Sequence, residues 1–132
     1  MKIGMEAEYA LMAVAYVAQH SKDGPVKART ISKTYGLTHE SFLKIVKQLA
    51  KANILESRRG KGGGFTLARP AHKITILEII EVLRPFEQSA HVSQQANNAP
   101  FAVKMEQVCN EAADKAKNRL RKATLAKMIK SD

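Results

Sequence analysis

Arg58, Arg59 and Lys61 sit among four glycines in the run Arg58-Arg59-Gly60-Lys61-Gly62-Gly63-Gly64. Guanidinium and ammonium groups on a loop with so little side-chain bulk can come close to a phosphate chain or enter a narrow minor groove. The run is not a nucleotide-binding P-loop. It lacks the G-x-x-x-x-G-K-[ST] pattern, and a strand rather than a helix is expected after it. A second polar group lies upstream: Thr38, His39, Glu40, Ser41, Lys44 and Lys47. On a helix, Glu40, Lys44 and Lys47 share a face. Hydroxyl, carboxylate and ammonium groups presented together are what the donor and acceptor pattern of base edges requires.

Charge concentrates around these two groups. Between Val26 and Lys73 there are eleven Lys and Arg and two acids, a net of +9 in a chain whose total is +10. A basic segment of this density faces nucleic acid or an anionic surface. No catalytic constellation competes with it. The sequence has no Ser/His/Asp arrangement with supporting motifs and no carboxylate pair in an apolar setting, so no enzyme is expected. His20, His39, His72 and His91 are scattered without the paired spacing of a zinc site, and no metal is expected. Cys109 is the one cysteine, which excludes an intrachain disulfide. It has two readings: a small buried apolar filler, or a thiol open to oxidants and electrophiles. No apolar run reaches the about 18 residues of a membrane span. The N-terminus lacks the pattern of a secretory signal. A reducing cytoplasm is the expected location.

Apolar spacing supplies the elements that would hold these groups. Met5–His20 is apolar or small on most sides and reads as a helix buried on more than one face. Ser21–Pro25 is a turn. Ala28–Tyr35 is a short helix ended by Gly36, and Thr38 is placed to cap the next helix with its hydroxyl. His39–Ala52 carries Phe42, Ile45, Val46 and Leu49 in one stripe. Opposite them lie Glu40, Ser41, Lys44, Lys47, Gln48 and Lys51. Two short strands, Ile54–Arg58 and Phe65–Arg69, flank the glycine loop, and Pro70 ends the second. Thr75 and Glu78 form a capping box for a helix that runs to about Leu83 and is stopped by Pro85. Gln88–Pro100 is small and polar and reads as an exposed loop. Phe101–Leu120 repeats Phe101, Met105, Val108, Ala112, Ala116 and Leu120, a one-sided helix of roughly 30 Å. Leu125, Met128 and Ile129 make a last short helix.

Helix, tight turn, helix and hairpin in this order are a helix-turn-helix with a wing. The expected fold class is mainly α with a small β-hairpin. A winged helix-turn-helix domain covers 1–84, a linker 85–100 and a helical dimerisation arm 101–132. In such a fold the helix over 39–52 enters the major groove of duplex DNA, and the wing meets the backbone or the minor groove. The DNA-binding set is then Thr38, His39, Glu40, Ser41, Lys44, Lys47, Arg58, Arg59 and Lys61. The stripe of the long helix has no evident place in a domain that already owns a core, which points to a homodimer. The alternative is a winged helix that uses the same basic face on RNA or as an adaptor.

Several runs resemble the Rrf-two family of bacterial winged helix-turn-helix transcriptional regulators. They are Glu8-Tyr9-Ala10-Leu11, Gly24-Pro25-Val26, Ile31, Gly36-Leu37-Thr38 and Leu43-Lys44-Ile45-Val46-Lys47-Gln48-Leu49. The most specific is Arg59-Gly60-Lys61-Gly62-Gly63-Gly64-Phe65-Thr66-Leu67-Ala68-Arg69-Pro70. The likeness covers 1–84 and continues more loosely to Thr124-Leu125. It implies a dimer, mostly a repressor, whose long helix crosses to the partner. It also implies base contacts near Thr38, Glu40, Ser41 and Lys44 and a wing contact from Arg59. Sensor members place three cysteines between the fourth helix and the long helix to hold an iron–sulfur cluster. His91–Val108 contains none, and Cys109, Glu8 and His91 fall short of four ligands. No cluster of that kind is expected; a small molecule or a redox agent acting at Cys109 is the expected effector.

Overall fold

The computed structural model describes residues 2–84, 86 and 99–130. Helix α1 (Met5–Gln19) buries Ala7, Ala10, Ala13, Val14 and Val17. Alanines on the inward side let neighbouring elements approach closely, and α1 is packed by the third and fourth helices and by the second strand. After a 3-10 turn at Ser21–Asp23 the chain enters α2 (Ala28–Thr34) and then α3 (His39–Lys51). The two helices end in the same way. The amide of Leu37 donates to the Ser32 carbonyl and that of Gly36 to Lys33, with Gly36 at φ +67°. The amide of Ile54 donates to Leu49 and that of Asn53 to Ala50, with Asn53 at φ +61°. This two-bond Schellman arrangement needs a left-handed residue just past the helix. The first makes the tight turn between α2 and α3, and the second aims the chain from α3 into the hairpin.

The amphipathic stripe of α3 is buried as expected: Phe42, Ile45, Val46 and Leu49 all lie in the core. Phe42 is among the largest fully buried side chains, and truncating it to alanine would cost about 3–5 kcal/mol. Strands β1 (Leu55–Arg58) and β2 (Gly64–Leu67) pair antiparallel, with Leu55 opposite Leu67 and Arg58 opposite Gly64. The regular ladder is shorter than Ile54–Arg58 and Phe65–Arg69. Its foot is instead closed by the Ala68 amide donating to the Ile54 carbonyl, 3.0 Å. Val26 adds a third strand position at the open edge of β2, exchanging both backbone hydrogen bonds with Phe65 at 2.9 and 2.7 Å.

A 3-10 turn at Ala71–Lys73 leads to α4 (Ile76–Ile80). The capping box is present: Thr75 Oγ1 accepts from the Glu78 amide, and Glu78 Oε2 accepts from the Thr75 amide. Regular helix stops at Ile80 rather than Leu83, and the Val82 amide turns back to Ile79. Residues 81–83 continue as turns, and a proline at 85 disfavours helical geometry at Arg84, which bars extension past Leu83. The loop expected at Gln88–Pro100 lies outside the described residues except for its last two positions.

Helix α5 (Pro100–Lys122) has 23 residues and spans about 35 Å, with proline in its first turn. It meets α4 near its end, where Lys117 Nζ is 3.9 Å from Glu81 Oε2. Thr124 then bridges Thr75, the Ile76 amide donates to the Ala123 carbonyl, and the Leu125 amide donates to Ile74. Helix α6 (Leu125–Ile129) follows and buries Leu125 fully in the core of the winged domain. The end of the expected arm thus folds back onto the first 84 residues.

Candidate nucleic-acid interface

Burying one stripe of α3 turns the opposite side outward. Thr38, Glu40, Ser41, Lys44 and Lys47 are all exposed, together with Gln48 and Lys51. Thr38 holds the extended backbone of an N-cap, and its carbonyl accepts from the Phe42 amide. Its hydroxyl makes no cap hydrogen bond, contrary to expectation, and so stays outside the helix's own bonding. His39, the first residue of α3, is half-buried; its Nδ1 is enclosed and has no hydrogen-bond partner among the described residues. The outward face of α3 therefore offers a hydroxyl pair, one carboxylate and three ammonium groups.

The hairpin tip is a turn in which the Gly63 amide donates to the Gly60 carbonyl, 3.0 Å, with Lys61 and Gly62 at its centre. Gly62 has φ +80°, the value a type II turn needs at its third position. Arg59, Gly60, Lys61 and Gly62 are exposed. The next two glycines serve the chain's own packing. A Cβ on Gly63 would lie 2.3 Å from the Arg58 carbonyl oxygen, and one on Gly64 2.6 Å from that of Val26. Low bulk at the tip suits close approach to DNA, but each of the four glycines also answers to the hairpin itself, Gly60 and Gly62 by their positive φ and Gly63 and Gly64 by close packing.

The three wing cations are not equivalent. Arg58 pairs with Glu56 on the same strand face at 3.5 Å, with both side chains more than half exposed. Such a pair is weak in water, but it shares the charge of Arg58. Arg59 and Lys61 meet no carboxylate within ion-pair distance among the described residues. Arg69, counted with the basic segment, is turned inward. Its Nε donates to the Asn53 carbonyl at 3.1 Å, one Nη to the Lys73 carbonyl at 3.1 Å, and the other to Glu78. Burial pushes the Glu78 carboxyl upward, but hydrogen bonds and charge from Arg69 and hydrogen bonds from Thr75 outweigh it and hold Glu78 below its ordinary value.

A family model described as "Rrf2: Iron-dependent Transcriptional regulator" matches residues 3–131. The chain belongs to the Rrf2 family. It is similar to the structure of CymR (YrzC), the global cysteine regulator of B. subtilis: 26% identity, TM-score 0.83, over 98% of this chain and 96% of that one. IscR of T. potens is also 26% identical, with TM-score 0.79, over 98% of this chain and 86% of its own. CymR of Staphylococcus aureus, at 22% identity and TM-score 0.81 over 98% of both chains, shares the fold. This Rrf2 chain is thus a DNA-binding transcriptional regulator and not an enzyme. Among the described residues no helix is long and apolar enough to cross a membrane.

The donor set of this Rrf2 regulator can be placed against the iron in the family's description. Cys109 is exposed on α5, which corrects the buried reading, although Ala102 and the Asn110 side-chain oxygen on the same helix are enclosed. Glu8 is exposed in the first turn of α1, and His91 falls outside the described residues. Among the described residues no three His, Cys, Asp or Glu gather into a possible metal site. With one cysteine in the chain, the residues present do not fit a cluster held by thiolates.

Sequence reasoning missed the inward turn of Arg69, the edge pairing of Val26 and the return of the C-terminus to the core. One signal was available: Asn53 after the apolar stripe of α3 is a residue that tolerates the left-handed helix stop.

Proposed function

We propose that this protein is a homodimeric repressor that holds a palindromic operator with two copies of α3 in successive major grooves and the wings alongside. The observation that carries this reading is the outward face of α3, with Thr38, Glu40, Ser41, Lys44 and Lys47 exposed, followed in the chain by an exposed hairpin tip bearing Arg59 and Lys61. His39 and Arg58 support that set at its edges, one half-buried at the helix start and the other shared with Glu56. A helix reads base edges in the major groove, and an arginine on a thin wing suits a narrow minor groove.

The dimer reading rests on α5. Phe101, Met105 and Val108 are exposed by 77%, 38% and 63% on a helix that buries Ala102 but leaves these three uncovered. Acids Glu106, Glu111 and Asp114 precede a run of bases, Lys115, Lys117, Arg119, Arg121 and Lys122. An antiparallel second copy would cover the apolar residues and set acids against bases, as charged flanks do in paired helices.

The signal in this reading is not an iron–sulfur cluster, because one thiol per chain is too few. A redox agent acting at the exposed Cys109, or a small molecule, takes that role, in a reducing cytoplasm. If diamide releases the wild type from DNA and leaves Cys109→Ser bound, the thiol is the sensor. If it releases neither, a small-molecule effector takes its place.

The experiment that tests DNA recognition is a salt titration on duplex from the region upstream of the protein's own gene. About 8 phosphate contacts per dimer give a slope of log K against log salt near −7. A slope shallower than about −2, or tighter binding to RNA of the same sequence, would favour the RNA or adaptor alternative.

A further inference from the structure

Arg69 stands at the foot of the hairpin, two residues beyond β2, and its side chain is about one-third exposed. Its Nε holds the carbonyl of Asn53, the residue that ends α3 before β1 begins, and the Ala68–Ile54 backbone bond closes the same level of the ladder. Its two Nη groups reach the other way, to the Lys73 carbonyl and to Glu78 Oε1 in the first turn of α4. Glu78 is committed on its other oxygen to the Thr75 amide. The stretch Ile74–Ile76 is in turn bonded to Ala123–Leu125 at the end of α5. One guanidinium therefore joins the end of α3, the foot of the hairpin and the start of α4. The remaining anchors of the hairpin are the Val26–Phe65 pair at its edge and apolar packing beneath it.

We infer that Arg69 is a positioning residue for the wing: it fixes the hairpin's angle to α4, and so sets how far Arg59 and Lys61 stand from the outward face of α3. A two-stranded ribbon is only marginally stable alone, so its direction depends on what holds its foot. Three acceptors lie around one planar fork. Lysine has the charge but not the geometry to satisfy them together. The consequence for DNA rests on the operator-binding reading above; the consequence for the hairpin does not.

Two measurements on the full-length protein separate these. The first is amide hydrogen exchange in the absence of DNA for wild type, Arg69→Met and Arg69→Lys. In both variants the amides of β1 and β2 exchange faster by on the order of tenfold, while those buried in α1 keep wild-type rates. Unchanged rates in the hairpin, or a uniform rise that includes α1, would overturn the inference. A wild-type-like Arg69→Lys would overturn it too. The second is a double-mutant cycle on operator DNA. Arg69→Met lowers affinity by about tenfold when Arg59 is present and by less than about twofold in Arg59→Ala, because a misplaced wing loses nothing further once its contact is gone. Equal losses in the two backgrounds would show that Arg69 acts on the fold as a whole, and would overturn the inference. If the wild type binds no duplex, the DNA reading fails, and the exchange measurement alone decides the role of Arg69.

Discussion

Gly64 lies where a Cβ would come within 2.6 Å of the Val26 carbonyl oxygen, at φ +154°. The carbonyl is fixed there because it accepts the Phe65 amide at 2.7 Å. Gly64→Ala must therefore open the Val26 edge pairing. The expected cost is about 2–4 kcal/mol, combining strained backbone and overpacking. Gly60→Ala, at φ +92° with nothing within 4 Å, should cost only about 1 kcal/mol. Chemical denaturation of both variants checks the order; equal losses would show that the turn, not the Val26 contact, sets the requirement.

Glu78 gives stability an acid limb. Its folded pKa is lowered from the ordinary 4.5 by Arg69 and Thr75 against the opposing effect of burial. A group depressed on folding contributes stability above its unfolded pKa, and that contribution is lost as pH falls through the folded value. The side chain is one-third exposed, so solvent screens part of the effect. Thermal melting should show wild type above Glu78→Gln at neutral pH, with the gap closing as pH drops below 4.5. A gap that stays constant into acid would mean that the charge of Glu78 does not stabilise the fold.

The two halves of the proposed interface should fail differently. Lys44→Ala on the α3 face should relax base preference at one operator position, at a cost of roughly 1–3 kcal/mol. Arg59→Ala on the wing should weaken binding across sequences, with extra loss where flanks are A·T-rich. Quantitative binding to an operator library distinguishes the two patterns. Wild-type affinity and preference in both folded variants would remove these residues from the interface.

The exposed stripe of α5 should carry self-association. Lys in place of Met105 and Val108 puts two charges where an apolar seam is proposed, and neither side chain contributes to the core around Phe42. The double variant should sediment as a monomer, melt close to wild type and lose operator binding, since one half-site holds weakly alone. A wild type that is monomeric at micromolar concentration would rule out this seam.

Much of the fold was legible in the residues themselves. The buried stripe of α3, the Thr75–Glu78 capping box, the glycine turn and the separation of polar from apolar faces follow from periodicity and local hydrogen bonding. Those signals reside within one element or one turn. They therefore placed Thr38, Glu40, Ser41, Lys44, Lys47, Arg59 and Lys61 on outward surfaces before any packing was known. Periodicity says which face of a helix is apolar; it does not say what covers that face. The stripe from Phe101 to Leu120 is one pattern in sequence, yet Phe101, Met105 and Val108 stand exposed while Ala116 and Leu120 are half-buried near the attachment to the core. Charge counting likewise treats Arg59 and Arg69 alike. Only tertiary structure leaves the first at the tip and spends the second on Asn53, Lys73 and Glu78, because those three acceptors converge only once the hairpin is folded against α4.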